Sequence, residues 1–147
     1  MLIKDYMTQD HRDCDEEFAK IEESVSKKDF KEALSLFKIF KAHTLRHFSQ
    51  EEDLLFVRFS EATGMSGGPI EVMKMEHNQI RGILEQMQNA LENNQQEEFF
   101  GLSDAMMITL QQHNIKEEQM LYNMIQMQLN SQNDELLEQL KSFPKSV

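Results

Sequence analysis

Apolar side chains recur at steps of three and four through four stretches of the chain, the period of helices with one buried face. The first stripe is Cys14, Phe18, Ile21 and Val25. The second runs Phe30, Ala33, Phe37, Phe40, Thr44 and on to Leu54 and Leu55. The third is Ile70, Met73, Ile80, Leu84, Met87 and Leu91, and the fourth Phe99, Met106, Leu110, Met120, Met124 and Met127. Spacing this close to a heptad suits left-handed bundle packing. Lys27-Lys28-Asp29 breaks the first pair, with Asp29 placed to cap the second helix. Thr63 to Pro69 is the clearest loop, and Pro69 suits a first helical turn. Asn93-Asn94-Gln95-Gln96 breaks the second pair, and Ser131-Gln132-Asn133-Asp134 is expected to cap a short fifth helix carrying Leu136, Leu137 and Leu140. The pattern predicts an all-α protein, a four-helix bundle with a short C-terminal fifth helix, as one domain over residues 1–147.

Composition agrees. Two prolines and five glycines interrupt the chain, and good helix formers dominate it. Val, Thr and Tyr are scarce and Trp is absent, which argues against a sheet. A net charge of -11 disfavours nucleic acid, whose phosphates want a basic patch, and an anionic membrane surface. The one cysteine, Cys14, excludes an internal disulfide framework. No apolar run approaches the roughly 18 residues of a membrane span, and the start lacks a secretory apolar stretch. A cytoplasmic location is the expectation.

Polar residues interrupt the stripes at corresponding places. His11 lies one step before Cys14, and His47 and Glu51 follow Thr44. His77 falls between Met73 and Ile80, and His113 and Glu117 between Leu110 and Met120. Six titratable groups therefore face the interior. Burying an unpaired carboxylate costs several kcal/mol, so they need a shared partner, and a metal pair supplies one. Imidazole nitrogens and carboxylate oxygens suit iron, manganese or zinc.

The spacing supports this. His11 to His47 and His77 to His113 are both 36 residues, and each later histidine is followed by Glu four residues on. The whole pattern recurs at an offset of 66, down to Asp10-His11 against Glu76-His77. In antiparallel hairpins, residues equidistant from a turn lie at one level. The midpoints of His11/His47, Glu51/His77 and His77/His113 are 29, 64 and 95, each inside a turn read independently from composition. The six side chains are thus expected in one layer. In each His-x-x-x-Glu the two side chains share a helix face, so the His can end on one metal while the Glu bridges both.

These residues resemble the hemerythrin-like family, especially its His-His-Glu repeat branch. The doubled His…His-x-x-x-Glu and the run Glu76-His-Asn-Gln-Ile-Arg81 carry the likeness, from about His11 to Tyr122. The resemblance implies an up-and-down antiparallel bundle around a non-haem centre of two Fe ions. It also implies a small ligand (oxygen, nitric oxide or peroxide) handled by a sensor or stress-response protein. Two other outcomes it allows are iron donation to damaged iron–sulfur clusters and a metal-dependent regulatory module with a protein partner. Oxygen-carrying hemerythrins have a second histidine where this chain has Arg81, and an Asp five residues after the last histidine where Glu117 stands at four. The chain therefore resembles the carboxylate-richer branch with four histidines and two glutamates.

Other residues carry two readings each. His43, whose repeat mate is Thr109, is a surface or supporting residue, or a metal or proton-path residue. Cys14 is a small buried hydrophobe or a redox or nitrosylation site near the metals. Asp15 and Arg81, each four residues after a ligand histidine, pair with each other or gate the open metal face, or line a solvated edge. Glu52 and Glu118 support a ligand imidazole or stay partly exposed. Tyr122 donates to a bound oxygen species or packs with a satisfied hydroxyl. The eleven methionines read as core packing rather than copper ligands.

Overall fold

The computed structural model describes residues 1–144. Four long rods form the body. Helix α1 (Ile3–Ser26) is the first. Helix α2 (Phe30–Gln50) runs through a π turn (Glu51–Leu55) into α3 (Phe56–Thr63). Helix α4 (Pro69–Glu92) is the third rod. Helix α5 (Gln96–Lys116) runs through a second π turn (Glu117–Leu121) into α6 (Tyr122–Leu129). A 3-10 turn (Asn130–Gln132) leads to the short α7 (Asn133–Lys141). Helix α1 packs on α2, α2 on α4, α4 on α5, and α1 on α5 and α6, which closes an up-and-down four-helix bundle. Among the described residues no helix is long and apolar enough to cross a membrane.

The offset of 66 extends from the six polar residues to the whole architecture: α4 begins and ends 66 residues after α1, and α5, the second π turn and α6 follow their counterparts at the same distance. The tight turns match as well. Lys28 and Asn94, repeat mates, are the two non-glycine residues with positive φ among the described residues, at 60° and 56°. Behind each, the amides of Asp29 and Gln95 bond back to the carbonyls of Ser24 and Ala90, both at 2.9 Å. Asn tolerates this left-handed well more readily than Lys does. Asp29 caps α2 as expected, accepting from the Glu32 amide at 3.2 Å. Gly64, at φ 74°, closes α3, and Pro69 opens α4.

Two apolar cores fill the bundle. One lies toward the tight turns and includes Phe18, Ile21, Phe37, Phe40, Leu84 and Phe99. The other lies toward the chain start and α7 and includes Ile3, Met7, Phe59, Met73, Ile125 and Leu140. Between them sits the polar layer.

The fourth stripe needs correction. Met120 and Met127 are exposed, at 47% and 77%, and Met124 is only partly buried. Leu121, Tyr122, Ile125 and Leu129 take the core positions instead. The π turn is the reason: it inserts one extra residue per turn after Glu117, so everything beyond shifts by one. The second rod shifts likewise, burying Leu55, Phe56 and Phe59 while Leu54 stays half-buried. Reading all methionines as core also fails, since Met7, Met73, Met87 and Met106 are buried but Met1, Met65, Met75, Met120 and Met127 are exposed.

The short fifth helix is present as α7 with Leu136, Leu137 and Leu140 buried, but Ser131 to Asp134 do not cap it. Asn133 caps α1 instead. Its Oδ1 accepts from the Ile3 amide at 3.0 Å, and Gln126 Oε1 accepts from the Lys4 amide at 3.1 Å. Arg46 and Gln50 on α2 donate to carbonyls at the end of α7, satisfying groups a helix terminus leaves open.

Candidate metal centre

His11, His47, Glu51, His77, His113 and Glu117 meet in the layer between the two apolar cores, and each is at most 4% exposed. The bundle assembles them as two histidine pairs and two shared carboxylates. His11 on α1 and His47 on α2 have ring centroids 4.6 Å apart. His77 on α4 and His113 on α5 are 4.8 Å apart. Glu51 and Glu117 open the two π turns and reach both pairs. Glu51 Oε1 is 3.1 Å from His77 Nε2 and 3.7 Å from His47 Nε2. Glu117 Oε1 is 3.1 Å from His11 Nε2 and 3.3 Å from His113 Nε2.

Every one of the four imidazoles is oriented from behind in the same way. Its Nδ1 faces a carboxylate and its Nε2 faces the centre. His11 Nδ1 is 2.8 Å from Glu118, and its mate His77 is 2.5 Å from Glu52. His47 Nδ1 is 2.7 Å from Asp10, and its mate His113 is 2.9 Å from Glu76. This arrangement fixes both the ring orientation and the inward lone pair. Both glutamates expected as supports, Glu52 and Glu118, fill that role. Asp10 and Glu76 are supports that the stripes alone do not single out, although an acidic residue before the first histidine of each repeat is a visible signal.

Each supporting carboxylate is in turn held by a cation or a histidine: Glu118 by Arg12 at 2.5 Å, Glu52 by Arg81 at 3.0 Å, Glu76 by Lys116 at 2.5 Å, and Asp10 by His43 at 2.6 Å. Arg81 therefore pairs with Glu52, not with Asp15, which lies 3.9 Å from Arg12. His43 is a supporting residue, bonded to Asp10 on one side and Glu17 on the other. Its bond to Asp10, together with its neighbour Cys14, pushes it up to about 11.

Charges in the layer show how strongly the groups are forced together. Burial disfavours a charged His11, yet Glu117 beside it holds its pKa at about 9. Burial likewise opposes charge on His77, and the Glu117 and Glu51 carboxylates beside it override this, raising it to about 11. Burial lifts the Glu51 carboxyl above its usual range, and the neighbouring Glu117 charge adds to this.

Four atoms at the centre of this layer have no hydrogen-bond partner although they are fully buried: Glu51 Oε1, Glu117 Oε2, His77 Nε2 and His113 Nε2. Orphaned buried acceptors are costly. A cation receiving these lone pairs removes the cost, and imidazole with carboxylate is a donor set that iron accepts. The residues present therefore fit a metal centre. Within this layer two groups of donors lie close enough to hold an ion: Glu51, His77, His113 and Glu117, and His11, His47 and Glu117; Cys14, Glu17 and His43 form a third group beside it. Beside the second group is a cavity with room for about one water-sized molecule, walled by His11, Cys14, Thr44, His47, Phe48, Leu110 and Asn114. Cys14 is buried there, so it is both packed and adjacent to the centre.

Residues 2–125 match the family described as hemerythrin HHE cation binding domain. No curated protein and no solved structure matches the chain. The matched span takes in the whole polar layer and points to iron as its metal. With that match over most of its length, the chain belongs to the hemerythrin HHE cation-binding family.

Proposed function

We propose that the protein is a non-haem di-iron protein that binds or reduces a small oxidant, oxygen, nitric oxide or peroxide, in the cytoplasm. The observation that carries this is the set of four inward-facing Nε2 atoms and two shared carboxylates, with four of their atoms orphaned in a sealed layer. His11 and His47 would hold one iron, His77 and His113 the other, and Glu51 and Glu117 would bridge. When bound, the iron pair supplies electrons and open coordination positions to the small ligand.

The chain's own residues do the rest. The four carboxylates behind the imidazoles keep every Nδ1 proton in place, so each Nε2 offers a lone pair. Phe48 stacks on the His77 ring at 4.0 Å, and Phe56 lies parallel to it at 6.2 Å, which excludes water from that side. The cavity beside His11 and His47, with room for about one water-sized molecule, favours a very small ligand over an organic substrate. Burial of all six donors favours retention of iron over its donation.

The test is optical. Anaerobic protein is loaded with ferrous iron, exposed to oxygen, then returned to anaerobic conditions. A charge-transfer band that appears and reverses supports a carrier or sensor, and an irreversible ferric product supports turnover. No spectral change with oxygen, nitric oxide or peroxide overturns the proposal.

A further inference from the structure

We propose that Tyr122 is itself a metal ligand, through its phenolate oxygen, on the His11/His47 side of the centre and on that side alone. The inference rests on the reading of the layer as an iron pair and names a donor outside the six.

The phenolic oxygen of Tyr122 lies at the focus of four prospective ligand atoms. It is 2.8 Å from Glu51 Oε2, 3.1 Å from Glu117 Oε1, 3.1 Å from His11 Nε2 and 3.1 Å from His47 Nε2. A phenol has one proton to donate. Glu118 and Asp10 hold the two imidazoles from behind at Nδ1, so both Nε2 atoms and both carboxylates converge on one oxygen that can donate to only one of them. A cation seated among them would take all five atoms as ligands. Ligation replaces the phenol O–H bond with an O–metal bond, and the proton leaves to solvent.

The π turn delivers the residue. The Tyr122 amide bonds to the Glu117 carbonyl, five residues back, so the two side chains stack on one face of the rod. The other π turn aligns Phe56 on Glu51 in the same way. Phe56 has no donor and lies flat along His77 instead. The repeat thus gives each half-site one aromatic ring at the same place, and only one of the rings carries an oxygen. An anionic oxygen favours the ferric over the ferrous state, so the two irons become inequivalent.

Ferric protein is the probe. Wild type, Tyr6→Phe and Tyr122→Phe are loaded anaerobically with ferrous iron, oxidised chemically, counted for iron, and examined by visible absorption and resonance Raman scattering. Tyr6 is the only other tyrosine, so its variant is the control. Wild type and Tyr6→Phe are expected to show a visible band whose ring modes shift when the protein is grown on ring-deuterated tyrosine. Tyr122→Phe is expected to take up the same iron without those modes. Iron uptake by wild type without tyrosine-sensitive modes overturns this inference alone, as does their survival in Tyr122→Phe. Wild type that takes up no iron overturns the di-iron reading with it. Should Tyr122→Phe fail to fold, the isotope shift in Tyr6→Phe decides the question.

Discussion

The two halves of the bundle, residues 3–63 and 69–129, repeat each other element for element, yet they surround their histidines differently. Facing inward they match: two imidazoles, one shared carboxylate and a π turn per half. Facing outward they diverge. His47 is backed by Asp10, which leans on His43, whereas its mate His113 is backed by Glu76, which leans on Lys116. Tyr122 stands in one half and Phe56 in the other. In the proposed di-iron centre the inner donors answer to a shared cation, which would fix donor type and position. The outer groups need only supply charge behind a carboxylate, and an arginine, a lysine or a histidine from any neighbouring helix can do that.

The match between the halves is most exposed at the shared carboxylates. Glu51→Ala and Glu117→Ala should each lose both irons rather than one, because each carboxylate reaches both histidine pairs. Iron counted per chain after desalting checks this, and retention of a full complement in either variant contradicts it.

The next effect tests the register shift. Leu55→Ala and Leu121→Ala, buried mates that end the π turns, should each cost about 2–5 kcal/mol in denaturant unfolding. Met120→Ala, one residue earlier and exposed, should stay within about 0.5 kcal/mol of wild type. Equal losses at 120 and 121 would mean that the extra residue is absent.

Supporting carboxylates come third. Asp10→Asn and Glu76→Gln should each weaken iron binding by about 10- to 100-fold without changing the iron count at saturation. A chelator competition measures it. The asymmetry behind them then predicts that His43→Ala weakens binding less than Asp10→Asn, since His43 reaches the ligand His47 through Asp10.

The smallest effect is on the metal-free fold. His11 binds its proton up to about 9 and His77 up to about 11 in the folded chain, against 6.5 for the free side chain. The stabilisation from those protons is full below about pH 6.5 and is lost as pH rises through 9 and then 11. Thermal unfolding of metal-free protein should therefore move to lower temperature over that range. Iron-loaded protein should not do so, because iron competes with those protons and binds better as pH rises. Parallel pH curves for the two forms would sink this account.

Much of the centre is legible directly in the chain. The doubled His…His-x-x-x-Glu, with midpoints that fall in three independent turns, locates all six donors in one layer. A strict 3.6 period cannot reveal the π turns, so it places the residues beyond Glu117 one position early and takes Met120 for core in place of Leu121. Tyr122 is read correctly as a buried ring with a satisfied hydroxyl, but its partners, the Glu51 and Glu117 carboxylates, are not. The outer cations Arg12 and Lys116 are equally hidden, because their repeat mates, Asn78 and Gln50, are uncharged and the repeat lends them no support. Asn133 looks like a cap for its own helix, and only the packing of α7 beneath α1 explains why it caps the first one.

In the di-iron reading one buried layer holds two irons, and iron stoichiometry decides it. Anaerobic wild-type protein is titrated with ferrous ion, desalted and assayed for metal per chain, beside a variant with His77 and His113 both changed to Ala. Two irons are predicted in wild type and at most one, loosely held, in the variant. No retained iron in wild type, or two retained in the variant, would contradict the di-iron layer.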